Sequence, residues 1–261
     1  MFDYQDVART MDIDFIYFDL MLTAIWIILL IVRKRWKALL FGIFGYAVVL
    51  FTDDVIWYTL RETRHIEGPI GPHLFLAYFS FTYGMIMFSY APMMFDKGIT
   101  KIEKILWSIL LYGGWLTIGL LSKFIIWNDS EMIIWREMSS FRLGQILMVV
   151  IGYLTLIILK AFRWKFMESV SWWYFVYLFA VGFFIHFSME TTLMIAKIRP
   201  LDWGVMFFNS FLEFNTGIPI LFLLWIFANL KDYKPIPINI EEAEEEYPQT
   251  KDDTVLDQTQ I

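Results

Sequence analysis

Seven apolar runs of about 20 residues each constrain this chain more than any other feature of its sequence. A helix rises about 1.5 Å per residue, so each run is long enough to cross roughly 30 Å of hydrocarbon. Inside lipid every backbone polar group needs a partner within the protein, and separate apolar runs achieve this as helices. The runs are Phe15–Val32, Ala38–Leu60, Leu74–Phe95, Ile105–Trp127, Leu143–Phe162, Trp172–Ile195 and Trp203–Leu230. The sequence therefore predicts an all-α polytopic integral membrane protein built as a seven-transmembrane-helix bundle.

The composition agrees with this prediction. Of 261 residues, 58% are hydrophobic and only 18% are charged, which is too apolar for a soluble domain of this size. We expect a multi-pass protein of the cell membrane or of another cellular membrane. The chain contains no cysteine, which excludes disulfides, thiolate metal sites and cysteine nucleophiles.

Charge near the helix ends predicts the orientation and the domain limits. Compact lysine and arginine clusters, RKRWK among them, lie on one set of helix ends, and such clusters tend to stay cytoplasmic. We therefore expect the N-terminus outside and the C-terminus in the cytoplasm. Residues 1–13 form an extracytoplasmic leader and residues 14–232 the membrane domain. Residues 233–261 form an acidic tail that is rich in proline and glutamate, and we expect it to be disordered.

Ionisable residues within the runs mark the candidate site. A charge near mid-membrane costs on the order of 3 kcal/mol by insertion scales, so it usually faces a partner or water inside the bundle. His186 and Glu190 share a face of the sixth run, and Glu213 lies in the seventh. Asp53, which we favour over its neighbour Asp54, lies at a similar depth in the second run. Pro219 predicts a kink in the seventh helix just past Glu213.

The proposed catalytic residues are His186, Glu190, Glu213 and Asp53, because buried imidazole and carboxylate groups can act as general acid and base. Glu213 or Glu190 would give a proton and His186 would receive it. The same four residues are the ligands if a divalent metal is bound, although no cofactor is strongly implied. The substrate-binding candidates are Asn209, Asn215, Trp57, Tyr83 and His73, and an apolar slot could be lined by Phe184, Phe187, Phe208, Phe211 and Phe214.

The remaining polar segments have simpler interpretations. Asp19 lies near the start of the first run, so we expect an interfacial carboxylate in contact with water. The loop before the third run contains Glu62, Arg64 and His65, which we expect to be solvated, with a lid over the outer mouth as the alternative. Residues 128–140 mix apolar and charged side chains, which fits a short amphipathic segment at the outer interface.

These features favour a membrane-embedded enzyme that acts on an apolar lipid or isoprenoid, as an isomerase, hydratase or cyclase. A proton- or cation-coupled transporter is the alternative, because a broken helix with buried acids often builds a transport site. A receptor or structural membrane protein is the second alternative, in which the polar residues only fix helix packing. The expected partners are bilayer lipids and an apolar small molecule or an ion, not nucleic acid.

Overall fold

Helices form most of the chain, and they follow the apolar runs closely. The computed structural model describes residues 9–136 and 142–229. Within these residues, seven spans are long and apolar enough to cross a membrane. They are Ile13–Val32 (α1), Trp36–Leu50 (α2) continued by a π-helix at Phe51–Leu60, Pro72–Phe95 (α3), Lys101–Phe124 (α4), Arg142–Ala161 (α5), Trp173–Ile195 (α6), and Trp203–Leu212 (α7) with Ile218–Ala228 (α8). The seven helical runs predicted from the sequence are confirmed, and the acidic tail lies outside the described residues.

α3 and α6 form the centre of the bundle. They are the most buried spans, and the other helices pack around them. α2 approaches α3 closely because both helices carry glycines at the contact: a Cβ on Gly84 would lie 2.5 Å from the backbone nitrogen of Tyr46. Small residues allow such close approach of helix backbones. Gly84 is therefore a packing position against α2.

The seventh span is broken where proline predicts it. α7 ends at Leu212, a 3-10 turn covers Phe214–Thr216, and α8 starts at Ile218. Pro219 lies in the first turn of α8, where the missing proline N–H costs nothing. The α-helix is thus interrupted just past Glu213, where the sequence predicts a kink, and Glu213 lies between two helical segments.

The chain is not all-α, because three short strands form an antiparallel sheet. The strands are Arg9–Asp12 (β1), Arg64–Glu67 (β2) and Glu131–Arg136 (β3), in the order β1-β3-β2. They precede α1, follow the π-helix and follow α4, so all three lie at the same end of the bundle. We call this end the sheet end.

Alternating burial explains why residues 131–136 form a strand. Met132 and Ile134 are buried, whereas Glu131 and Ile133 are exposed. This is the period of two that a half-buried strand requires. The segment is amphipathic, as its composition indicates, but it pairs with β1 and β2 instead of lying alone at an interface. The loop before α3 likewise contains a strand, and residues 9–12 of the leader form another.

The opposite end of the bundle is held by an ion-pair cluster. Arg35 lies in the turn between α1 and α2. Its Nε and Nη2 donate to the carboxylate of Glu103 of α4 at 3.0 and 2.6 Å. Arg33 also donates to Glu103, at 3.2 Å. These contacts tie the first helical hairpin to α4, far from the sheet.

Candidate functional site

A cavity of about 280 Å³ lies beneath the sheet. Its walls come from α2, the π-helix, α3, α5, α6, α7 and the helix break, with side chains of all three strands closing the sheet end. The apolar lining includes Val48, Val49, Met87, Phe88, Met148 and Phe214. The polar lining includes Arg9, Asp53, Arg64, Arg136, His186, Asn209 and Glu213. We call the first set of residues the apolar part of the cavity and the second set the charged part.

His186 and Glu213 form the central pair of the charged part. Nε2 of His186 lies 2.9 Å from Oε2 of Glu213. The other carboxylate oxygen accepts from Arg136 of β3 at 3.0 Å and lies 3.4 Å from Nη1 of Arg142 on α5. Glu213 keeps helical backbone angles, and its N–H donates to the carbonyl of Asn209, so its side chain continues the face of α7 that carries Asn209.

Glu190 lies one turn from His186 on α6, behind the cavity wall. Its side chain is fully buried, and its Oε1 lies 3.9 Å from Nε2 of His186. Arg199 forms an ion pair with the other oxygen, while Arg9 lies 3.5 Å from Oε1. Asn209 donates to Oε1 at 3.3 Å. Glu190 thus supports the site from outside the cavity lining.

Asp53 pairs with Arg64 on the opposite side of the cavity. Their closest atoms, Oδ2 and Nη1, are 2.8 Å apart, and both side chains are nearly buried. The adjacent Asp54 points elsewhere and pairs with the exposed His73, with 2.7 Å between Oδ1 and Nδ1. Arg64 is therefore not the solvated loop charge that the sequence indicates. It lines the cavity, as a lid residue would.

The structure places the proposed substrate-binding residues in two groups. Trp57, Tyr83 and Asn209 line the cavity. His73 does not, because its ring lies at the exposed end of α3 beside Asp54. Asn215 also lies elsewhere: it is buried in the helix break, accepts from the Tyr153 hydroxyl at 2.8 Å and donates to backbone carbonyls, which is a structural role.

Of the expected aromatic lining, Phe214 borders the cavity, as Trp57 and Tyr83 do. Phe184, Phe187 and Phe211 instead pack against other rings between the helices. Phe208 lies under the guanidinium of Arg142, 5.4 Å from it. These four rings are packing residues and do not form the slot that the sequence suggests.

Several arginines belong to the site, although the sequence does not predict them as functional residues. Arg9, Arg64 and Arg136 line the cavity, one from each strand, and Arg142 and Arg199 contact the carboxylates around it. The sequence of residues 131–136 offers no clear strand signal, because four consecutive residues are apolar, and the period-two burial appears only in the structure.

The arginines near the loops remain charged despite burial. Burial lowers the pKa of Arg199 to about 10, so its guanidinium is protonated at neutral pH. Burial also lowers the pKa of Arg64, and the nearby Asp53 carboxylate opposes that shift. A guanidinium keeps its proton under nearly all conditions in proteins. The site is therefore a network of fixed positive charges around three carboxylates.

The four expected metal ligands do not assemble as a metal site. Within residues 9–136 and 142–229, no group of three or more His, Asp and Glu side chains is arranged to hold a metal ion. The physical reason is that arginine takes the place of the cation: Asp53 faces Arg64, Glu190 faces Arg199, and Glu213 faces Arg136.

Asp19 is also buried more deeply than its position suggests. It has no exposed surface, and Tyr78 of α3 donates to its Oδ2 at 2.9 Å. It therefore joins α1 to α3 and is not an interfacial carboxylate in contact with water.

No known protein family, curated protein or solved structure matches this chain. The site itself is therefore the basis for a functional hypothesis. Chemically, the site offers an imidazole oriented by a carboxylate, positive charge that can bind or stabilise an anion, and an apolar space beside both.

Proposed function

We propose that this protein spans a membrane with its N-terminus outside and acts there as an enzyme on a lipid or isoprenoid substrate. The observation that carries this proposal is the pair of His186 and Glu213, 2.9 Å apart, on the wall of a cavity whose other part is apolar. An imidazole with a carboxylate partner is a common arrangement for general acid/base catalysis. The apolar walls suit a substrate that is drawn from the bilayer.

In this proposal His186 transfers the proton. A carboxylate only accepts hydrogen bonds, so Glu213 fixes the proton of His186 on Nε2 and leaves a lone pair on Nδ1. Nδ1 is buried and has no hydrogen-bond partner among the described residues. After a small shift of the ring that exposes Nδ1 to the cavity, His186 would take a proton from one carbon of the substrate, exchange it with solvent and give a proton to another carbon, which moves a double bond without consuming a net proton.

The carboxylates have a different role from the one that the sequence suggests. Glu190 and Glu213 each face two arginines, and a carboxylate in such ion pairs is a poor proton donor. We therefore assign the proton transfer to His186 alone and the orientation of its ring to Glu213. Surrounding positive charge stabilises a negative charge that develops on the substrate and opposes a carbocation. A cyclisation through a carbocation is thus the least suitable of the three reaction types, and isomerisation or hydration next to a carbonyl fits best.

A proton- or cation-coupled carrier is the second candidate, and the break between α7 and α8 favours it. Discontinuous helices commonly build transport sites near mid-membrane, and Glu213 lies at this break. In a carrier the protein would move a proton or a cation without changing any lipid.

Deuterium incorporation tests the enzyme. The purified protein is reconstituted with a total lipid extract in D2O, and the lipids are analysed by mass spectrometry. We expect one lipid class to gain deuterium with the wild type and not with His186→Gln. His73→Gln is the matched control, because His73 is exposed and lies off the cavity, and it should behave like the wild type.

Two results would reject the enzyme. One is a lipid pool that neither changes nor gains deuterium with the wild-type protein. The other is a wild-type reaction that His186→Gln leaves intact. Proton or cation flux in sealed vesicles that depends on Glu213, with unchanged lipids, would support the carrier.

A further inference from the structure

We infer that the ligand of this cavity is an amphipathic anion, whose carboxylate or phosphate head group is bound by Arg9 and Arg64. The inference deepens the proposed function and rests on it in one respect, namely that the cavity is where the substrate binds. It names the substrate class: an acidic head on an apolar chain. The charge distribution, the donor geometry and the shape of the cavity support it independently.

The charges around Glu190 are the first support for an anionic ligand. This single carboxylate faces two guanidinium groups, Arg199 in a close ion pair and Arg9 at 3.5 Å. Asp202 also acts on Arg199, but the five arginines named above still exceed the four carboxylates Asp53, Glu190, Asp202 and Glu213, and Arg9 is the member of the pair that lines the cavity. A buried charge without an equal counter-charge is costly, so an anion in the cavity would be stabilised there.

The hydrogen-bond donors of Arg64 are the second support for an anionic ligand. This side chain uses Nη1 to pair with Asp53, while its Nε is buried without a hydrogen-bond partner among the described residues. Its guanidinium lies over the Phe79 ring, 5.2 Å from the centroid, and this contact holds the group against the cavity wall. A guanidinium presents its donors in a rigid fork that matches a carboxylate or a phosphate.

The sheet brings these two arginines to one head group. β1 and β2 lie on either side of β3, so their backbones are separated by about 10 Å, or two strand spacings. Arg9 is paired with Ile134 and Arg64 with Arg136, which places the two side chains at nearby levels of the sheet. Both side chains line the same cavity. A gap of this width can be closed around one small anionic group by two long side chains.

The apolar part of the cavity argues for a chain behind the head group. Aliphatic and aromatic side chains from α2, α3 and α5 line it. Met148 of α5 lines the cavity and is 49% exposed, and α5 is one of the two least buried spans. The apolar part therefore lies beside a helix that we propose to face lipid. A free inorganic anion would make no apolar contact with these side chains, whereas an acyl or isoprenoid chain would extend along them.

Equilibrium binding to the purified full-length protein in a neutral detergent tests the inference. The probes are oleate, oleyl phosphate, oleyl alcohol and inorganic phosphate. We expect oleate or oleyl phosphate to bind at least about tenfold more tightly than oleyl alcohol, since hydrogen bonds to charged groups are the stronger kind. The tighter of the two anionic probes identifies the head group as a carboxylate or a phosphate.

Variants at the head-group site complete the test. Arg9→Gln should weaken binding of the preferred probe about tenfold or more and leave oleyl alcohol unaffected. Arg64 is tested as the double variant Asp53→Asn with Arg64→Gln, which removes both charges of the pair and so keeps the protein folded. Arg163→Gln is the control, because Arg163 is exposed at the opposite end of the bundle.

Equal affinity for oleate, oleyl phosphate and oleyl alcohol would overturn the inference. So would inorganic phosphate binding as tightly as the amphiphiles, or unchanged binding by folded Arg9→Gln. These outcomes are distinct from failure of the proposed enzyme. Anion binding that depends on Arg9 without deuterium exchange would reject the enzyme alone, and exchange into a neutral lipid would reject the anionic ligand alone.

Discussion

Replacing Glu190 by glutamine should destabilise the fold more than any other single change in the charged site. The Glu190 side chain is 0% exposed, and its ion-pair partner Arg199 is 3% exposed. Glu190→Gln preserves the shape and one acceptor oxygen but removes the negative charge. Arg199 and Arg9 would then be left near a neutral amide, with little water to solvate them.

The expected cost follows from this burial. Removing one partner of a buried ion pair typically costs about 3–5 kcal/mol, because the other charge is left without compensation. That is a large share of the roughly 5–15 kcal/mol that stabilises an ordinary domain. Glu213→Gln is the matched comparison: its side chain is 18% exposed, so water can reach the arginines, and we expect a loss of about 1–3 kcal/mol.

A second substitution should recover stability if this reasoning is correct. Arg199→Met added to Glu190→Gln removes the guanidinium charge that the first substitution leaves without compensation, so it should restore about 2 kcal/mol or more. The assay is the free energy of unfolding of the two single variants and the double variant in the same detergent. A loss below about 1 kcal/mol in Glu190→Gln, or strictly additive losses in the double variant, would refute the buried ion pair.

Three further outcomes can be checked with simpler measurements. Gly84→Leu should cost about 1–3 kcal/mol or prevent folding, because its Cβ would meet the backbone of α2, and the melting temperature reports this. A cysteine at the exposed Glu67 should react with an impermeant reagent on the side that we propose to be outside, and one at Lys101 should not. The reverse pattern would invert the proposed orientation. Glu67 is preferred to Arg64 for this purpose because Arg64 is buried. Truncation after Lys234 should leave thermal stability and lipid turnover unchanged, and a loss of either would show that the tail contributes to the fold or to the site.

The helices and the centre of the site could be predicted from local sequence signals. Length and apolarity define the seven spans, and Pro219 predicts the interruption of the α-helix just past Glu213. His186 and Glu190 share a face because they are four residues apart on a helix. Glu213 meets them because α6 and α7 are consecutive in the chain. These relations need no knowledge of distant contacts.

The sheet and its arginines could not be predicted in the same way. β1 and β2 each have four residues, too few for alternation to distinguish a strand from a turn. Arg9 enters the site only because its strand pairs with β3, more than a hundred residues later. The sequence therefore suggested an acidic site, whereas the contacts between distant segments surround those acids with arginine.

The pairing order of the sheet also has a consequence for biosynthesis. β1 is made first, but its hydrogen-bonded neighbours are β3 and, through Thr10, the carbonyl of Ile198 after α6. The first strand must therefore wait for four spans before it can pair with β3, and for six before Thr10 can bond Ile198. Arg9 and Glu190 can meet only then, and Glu213 follows later still. A truncated or stalled chain cannot assemble this pocket, so ligand binding would distinguish finished molecules from incomplete ones.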